Sequence, residues 1–202
     1  GRDGVSQKSA DAGRASHYVS LTRLRAKGEI EVDGARFEVD GTAWMDHEFF
    51  THQLTSDQSG WDWLSLQLDD GTDLVVYRLR RPDGRVDPFS AGTFVARDGQ
   101  AEHLSASDFT MAPMDAVWTS PETRAVYPIA WRVSVPSHGL DFVVQTPLPA
   151  QELVGRVGFA PTYWEGAVTA RGTRRGSPAS GVGYLEMTGY DKPVALGPTG
   201  AR

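Results

Sequence analysis

With 202 residues, 40% of them hydrophobic and 23% charged, the chain is long enough to bury a core as one or two domains. A formal net charge of −6, with no basic stripe, argues against a nucleic-acid partner. The absence of Cys removes disulfides, thiolate nucleophiles and Cys-ligated zinc and suits cytosol and periplasm alike, and no apolar run approaches the roughly 18 residues of a membrane span.

Six Trp, six Tyr and eight Phe are spread among 22 Gly and 12 Pro, a balance that favours short strands and turns over helices. Residues 1–16 (GRDGVSQKSADAGRAS) are small, polar and without period, and read as a disordered lead-in with no recognisable secretory signal. From His17 the pattern becomes strand-like. Gly28–Val32 and Ala35–Val39 flank Asp33-Gly34, a tight-hairpin signal.

The next stretch, Gly41–Phe50 (GTAWMDHEFF), gathers Trp44, Asp46, His47 and Glu48 within five residues. In an extended strand side chains alternate, so Trp44, Asp46 and Glu48 point one way while Ala43, Met45, His47 and Phe49 point the other. If the second set faces inward, His47 needs a partner among apolar neighbours. If the first does, two carboxyls lie beside an indole, where desolvation and mutual repulsion raise at least one pKa. The alternative is that the carboxyls are solvated or cap a loop and that His47 is a satisfied core histidine, since structural ion pairs also perturb titration.

Thr51–Gly60 reads as a polar loop that divides an earlier part, residues 17–55, from a later one, residues 56–202. Trp61–Leu68 (WDWLSLQL) then alternates. Leu64, Leu66 and Leu68 mark the core face, and Trp61, Trp63, Ser65 and Gln67 suit a ligand-contacting surface or a second apolar layer. Asp70-Gly71 turns it back into Asp73–Arg80, and Ser90–Ala96 with Ala101–Leu104 make a further hairpin around Asp98-Gly99. Later strands are expected at 116–120, 127–135, 140–146, 163–171 and 183–190, with a soluble loop at 171–181 and at most one short helix near Asp87–Phe89 or Ser107–Phe109. Roughly a dozen strands with regularly spaced turn signals describe an all-β sandwich or barrel, and a cavity-bearing antiparallel barrel is the economical choice.

The ordered set GTAWMDHEF (41–49), WDWLSLQLDDG (61–71), Tyr127-Pro128 with Trp131, QEL (151–153), YWEGAV (163–168) and GYLEMTGY (183–190) resembles the lipocalin-like family of carotenoid 1,2-hydratases and AttH-type hydrolases, from about residue 17 to about residue 193. The resemblance implies two consecutive lipocalin-like antiparallel β-barrels around an apolar ligand site near their junction. Residues 56–202 would be a nearly complete second barrel and residues 17–55 the closing strands of a first, whose missing segment was removed, was never present or could be supplied by another chain. It also implies an enzyme that hydrates an isoprenoid alkene or guides a polyketide cyclisation. Phe49 stands where the carotenoid hydratases carry Trp, which points away from carotenoid itself.

Hydrating an alkene requires a general acid, tolerance of a cation and a positioned water. Asp46 or Glu48 would supply the proton and His47 would orient water or acid, with Trp44, Trp61, Trp63, Tyr77 and Trp164 as the substrate-binding set. Trp164 also suits a barrel-closing role; Glu165 would be either a second acid facing the site or a carboxylate bonded to neighbouring strand ends, Glu186 suits an inward polar rung or an outer face equally, Gln151 and Glu152 read as anchoring a loop, and none of these is taken as catalytic. No G-x-S-x-G is present, and His47 and His52 lack further spaced ligands, so neither a serine hydrolase nor a metal site is expected. No cofactor is called for. The expected function is an enzyme acting on a hydrophobic polyene, isoprenoid or polyketide-like, by hydration or cyclisation; the rival is a non-catalytic carrier of the same ligand class.

Overall fold

The computed structural model describes residues 1–50, 54–156 and 161–194. Its strands are β1 (Val5–Gln7), β2 (Ala15–Val32), β3 (Ala35–Phe49), β4 (Gly60–Leu68), β5 (Asp73–Arg80), β6 (Ala91–Val95), β7 (Ala101–Ser105), β8 (Thr110–Pro113), β9 (Val117–Thr119), β10 (Val126–Pro128), β11 (Ala130–Val135), β12 (Leu140–Gln145), β13 (Glu152–Leu153), β14 (Tyr163–Arg174) and β15 (Ser177–Thr188). A single 3₁₀ turn, Pro136–His138, is the one helical segment among the described residues; Asp87–Phe89 and Ser107–Phe109 form turns instead.

Nine strands pair in the order β7-β6-β5-β4-β15-β14-β12-β11-β8, with β13 added beside β14. Every ladder is antiparallel, as local hairpin connections require. The two ends of this path, β7 and β8, are joined by only residues 106–109, which draws the edges together and curls the sheet into a barrel-like wall. The interior is packed solid. Leu64 and Leu66 on β4, Leu74 and Val76 on β5, Trp131 and Val133 on β11 and Leu185 and Met187 on β15 are fully buried there. The leucine face of β4 is thus the core face that its period of two implies.

The interior also holds charge. Asp62, wholly buried, accepts hydrogen bonds from Arg78 Nε at 2.7 Å and the Tyr190 hydroxyl at 2.8 Å and lies 3.2 Å from Arg80 Nε. The Arg78 guanidinium stacks 4.8 Å from the Trp131 ring centre, and that of Arg80 stacks 4.0 Å from Tyr190. Alternating Arg with Leu and Val on β5 is therefore a core pattern with a countercharge.

A three-stranded sheet, β1-β2-β3, lies against the outside of this wall. Its long hairpin turns at Asp33 (φ 50°) and Gly34 (φ 78°), the left-handed pair the dipeptide announces. One extra residue on β2 between Leu21 and Leu24 forms a bulge. At this bulge Arg23 reaches the wall, donating to Asp73 Oδ1 at 2.8 Å and to the carbonyls of Leu68 and Thr72. The face turned toward the wall carries Tyr18, Ser20, Asp46 and Glu48. The opposite face is apolar and open: Val19, Leu21, Ile30, Val32, Phe37, Met45 and Phe49 are all exposed along it.

Two expectations need correction. Residues 1–16 are not a disordered lead-in: β1 pairs with the start of β2, Val5 opposite His17, and Ser6 and Lys8 are buried. Their polar side chains meet aromatic surface rather than water, Ser6 Oγ at 2.8 Å from the Tyr77 hydroxyl and Lys8 Nζ at 4.1 Å from the Tyr77 ring centre. Nor is 171–181 a loop. β14 and β15 run through it and turn at Arg175 and Gly176, both with positive φ. Its polarity reflects a hairpin end in solvent, not an absence of pairing.

Candidate active site

Alternation on four neighbouring strands builds a floor outside the wall. With Leu64, Val76, Leu185 and Trp164 turned inward, the residues between them must turn outward. These are Trp61 and Trp63 on β4, Tyr77 and Leu79 on β5, Glu186 on β15 and Tyr163 on β14. Tyr18, Asp46 and Glu48 of the β2–β3 hairpin form the roof, and Lys8, Phe50 and Leu54 close the sides. The hollow between holds about 300 Å³.

Its roof is cross-linked to its floor. Trp63 Nε1 donates to the Tyr18 hydroxyl at 2.7 Å, which donates to Asp46 Oδ2 at 2.9 Å, while Trp44 Nε1 donates to Asp46 Oδ1 at 2.8 Å. Trp44 and Trp63 meet edge to face, 6.4 Å between ring centres. Burial, then the Asp46 carboxylate, pushes the Tyr18 phenol well above its ordinary value. Glu48 accepts from Ser16 Oγ at 2.5 Å and lies 3.1 Å from Lys8 Nζ.

The floor carries the third carboxyl. Trp61 Nε1 donates to Glu186 Oε1, and Glu165 stands directly across the β14–β15 ladder from Glu186. Burial is the main cause that raises the Glu186 pKa to about 8; Glu165 raises it further, and the Trp61 hydrogen bond opposes both. Burial, followed by Glu186 and Glu165, pushes Tyr163 up to about 12. The cavity therefore sets a carboxyl group whose pKa burial raises beside indole and phenol faces.

Residues 1–190 match the family model described as AttH-like. This chain belongs to the AttH-like family. The crystal structure of an AttH protein from Nitrosomonas europaea is 36% identical with a TM-score of 0.83, over 94% of this chain and 57% of that one. Kievitone hydratase from Nectria haematococca shares the fold, with a TM-score of 0.77 at 21% identity over 95% of this chain and 57% of its own. Among curated proteins, dehydratase asqC of Emericella nidulans is 25% identical over 173 residues, 83% of this chain and 49% of the relative. The chain spans about half the length of the relatives it matches.

Within this AttH-like chain, the residues singled out by sequence separate. Trp61, Trp63, Tyr77, Asp46 and Glu48 converge on the cavity, and Trp44 backs it through Asp46. His47 does not. Strand parity turns it onto the exposed outer face, where its ring lies 5.4 Å from that of Phe49. Trp164 does not line the cavity either: it is fully buried inside the wall, donating to the Pro149 carbonyl at 2.7 Å, because β14 places it on the parity opposite to Tyr163. No three metal-ligating side chains come together among the described residues, and His52 lies outside them.

Sequence reasoning named Glu186 without giving it a catalytic role and left out Tyr163, Tyr18 and Lys8. Glu186 alternates with Tyr184 and Thr188, a pattern that suits an inward rung or an outer face equally. What was not readable is that β15 pairs with β4, setting Glu186 opposite Trp63 across 123 residues of chain.

Proposed function

We propose that this protein catalyses acid-assisted addition or removal of water at a carbon–carbon double bond of a hydrophobic small molecule held between the hairpin and the barrel wall. The observation that carries this reading is a cavity whose walls are ring faces and carboxyls, one of which, Glu186, has its pKa raised by burial. A relative named as a dehydratase and a fold neighbour named as a hydratase support it.

In the hydration direction a cavity carboxyl passes its proton to an alkene carbon, and the cation forms on the neighbouring carbon. The faces of Trp61, Trp63 and Tyr163 stabilise it, each by about 0.5–2 kcal/mol. Water adds, and its surplus proton returns to the carboxylate. Dehydration runs the same steps backwards, the carboxyl protonating a departing hydroxyl. A tertiary cation is the most accessible intermediate, which makes isoprenoid-like trisubstituted alkenes the preferred substrates. The open apolar face of the three-stranded sheet is assigned, in the same reading, to a second β-rich body, the counterpart of the half of the relatives this chain does not span.

The test is incubation with a panel of prenylated aromatics, polyenes and their tertiary alcohols in isotope-labelled water. Products heavier by one water, with the labelled oxygen on the new carbinol carbon, or alkenes lighter by one water, are expected. Binding of every ligand unchanged identifies a carrier; an isomer of unchanged mass identifies a cyclase. Either overturns the proposal.

A further inference from the structure

We propose that Glu186, paired across the β14–β15 ladder with Glu165, is the proton donor of the site, while Asp46 and Glu48 on the opposite wall hold the roof in place. This assignment rests on the hydro-lyase reading above and selects among its three carboxyls. The sequence favours Asp46 or Glu48; the geometry points the other way.

Each roof carboxyl is committed to binding. Both oxygens of Asp46 accept hydrogen bonds, from Trp44 and from Tyr18. Glu48 accepts from Ser16 and faces the Lys8 ammonium at 3.1 Å. These contacts reward an acceptor and offer no proton to the cavity. Glu186 is placed differently. It faces a second carboxyl across the ladder, where side chains directly opposite have Cβ atoms about 5 Å apart, and that neighbour disfavours ionisation of Glu186.

The same geometry explains why the donor would work. Trp61 donates its N–H to Glu186 Oε1 while its ring lies on the cavity floor, 6.3 Å from Tyr163. One residue therefore stabilises the carboxylate left after proton transfer and presents a π face to the cation formed by that transfer. When water captures the cation, the proton released has a carboxylate waiting for it. Electrons and protons balance without a further reactant: the alkene π pair forms the C–H bond, a water lone pair forms the C–O bond, and Glu186 ends protonated as it began.

Other charged and titratable groups around Glu186 fix the sign of its pH response. Glu165 and Tyr163 lie on β14, Tyr184 on its own strand, Tyr18 on β2, and Asp46 and Glu48 on β3; the one cation among the lining residues, Lys8, is drawn toward Glu48. Burial and the negative neighbours both hold the proton on.

Two measurements test the assignment. In the resting protein, Trp fluorescence titrated against pH is expected to show a step near the Glu186 value of about 8, lost in Glu186→Gln and Trp61→Phe and displaced to lower pH in Glu165→Gln. In turnover, Glu186→Gln is expected to lower kcat by about 10²–10⁴-fold with little change in KM. Glu186→Asp recovers part of that loss, and the alkaline limb of the wild-type profile moves to lower pH in Glu165→Gln. A Glu186→Gln protein that turns over within a few-fold of wild type overturns the assignment, as does a wild-type titration with no step above pH 6. The titration needs no substrate, so a failure of the hydro-lyase reading leaves the state of the Glu186–Glu165 pair separately decided.

Discussion

Replacing Asp62 with Asn removes one charge and almost no volume from the middle of the barrel wall. The wild-type carboxylate is inaccessible to solvent and is shared by Arg78 Nε at 2.7 Å, Arg80 Nε at 3.2 Å and the Tyr190 hydroxyl at 2.8 Å. Both guanidinium side chains are only 12% exposed, so the variant leaves two positive charges buried without their shared countercharge. Breaking a buried pair from one side costs about 3–5 kcal/mol, far more than the pair contributes relative to an apolar replacement. For a chain of this size each kcal/mol displaces the melting point by about 2–4 °C, so Asp62→Asn is expected to melt roughly 10 °C below wild type. Urea unfolding followed by circular dichroism at neutral pH measures the loss. Asp141→Asn is the control: its bidentate pair with Arg132, at 2.7 and 3.0 Å, is open to solvent, and its removal is expected to leave the midpoint unchanged. Equal effects from the two substitutions, or an Asp62 variant within about 1 kcal/mol of wild type, would refute the claim that desolvation sets the size of the effect.

Stability should depend on pH through Glu186. Its pKa rises from 4.5 to about 8 on folding, so the native state binds the extra proton and stability falls as pH climbs through that window, by up to about 5 kcal/mol at about 1.4 kcal/mol per pH unit. Glu186→Gln flattens this slope; superimposable wild-type and variant curves would show that the group ionises freely in the fold. Gly183→Ala places a Cβ 1.8 Å from the Ser65 carbonyl oxygen and must force β15 from β4, costing about 1–3 kcal/mol, whereas Gly28→Ala meets nothing within 4 Å and should be near neutral. Matching melting points for the two would contradict the close strand approach. The exposed apolar face of the three-stranded sheet should bind a hydrophobic dye and promote association at high concentration. Ile30→Thr with Phe37→Thr should reduce both, and unchanged sedimentation would count against that face as a contact surface.

What was legible in the sequence follows the range of each signal. The all-β fold and the core face of β4 depend on period-two alternation and local turns, and Leu64, Leu66, Leu68 and Asp33-Gly34 announce them within a few residues. Trp61 and Trp63 were placed on a ligand-facing side for the same reason. The acid in the floor was not legible, because the Glu186 pKa is set by burial, by the Trp61 hydrogen bond and by Glu165, and that neighbourhood exists only once β15 lies between β4 and β14. His47 was grouped with Asp46 and Glu48 by proximity in sequence, although strand alternation separates adjacent residues more surely than it joins them. Lys8 was hidden because its burial depends on stacking over Tyr77, 69 positions away.

Placing the hollow outside the barrel divides the labour of the protein between layers. The main buried cluster that keeps the molecule folded lies apart from the hollow, and the β2–β3 hairpin that shapes the chamber adds no residue to that cluster. The shape of the hollow can therefore change through one ribbon while the foundation beneath it stays as it was.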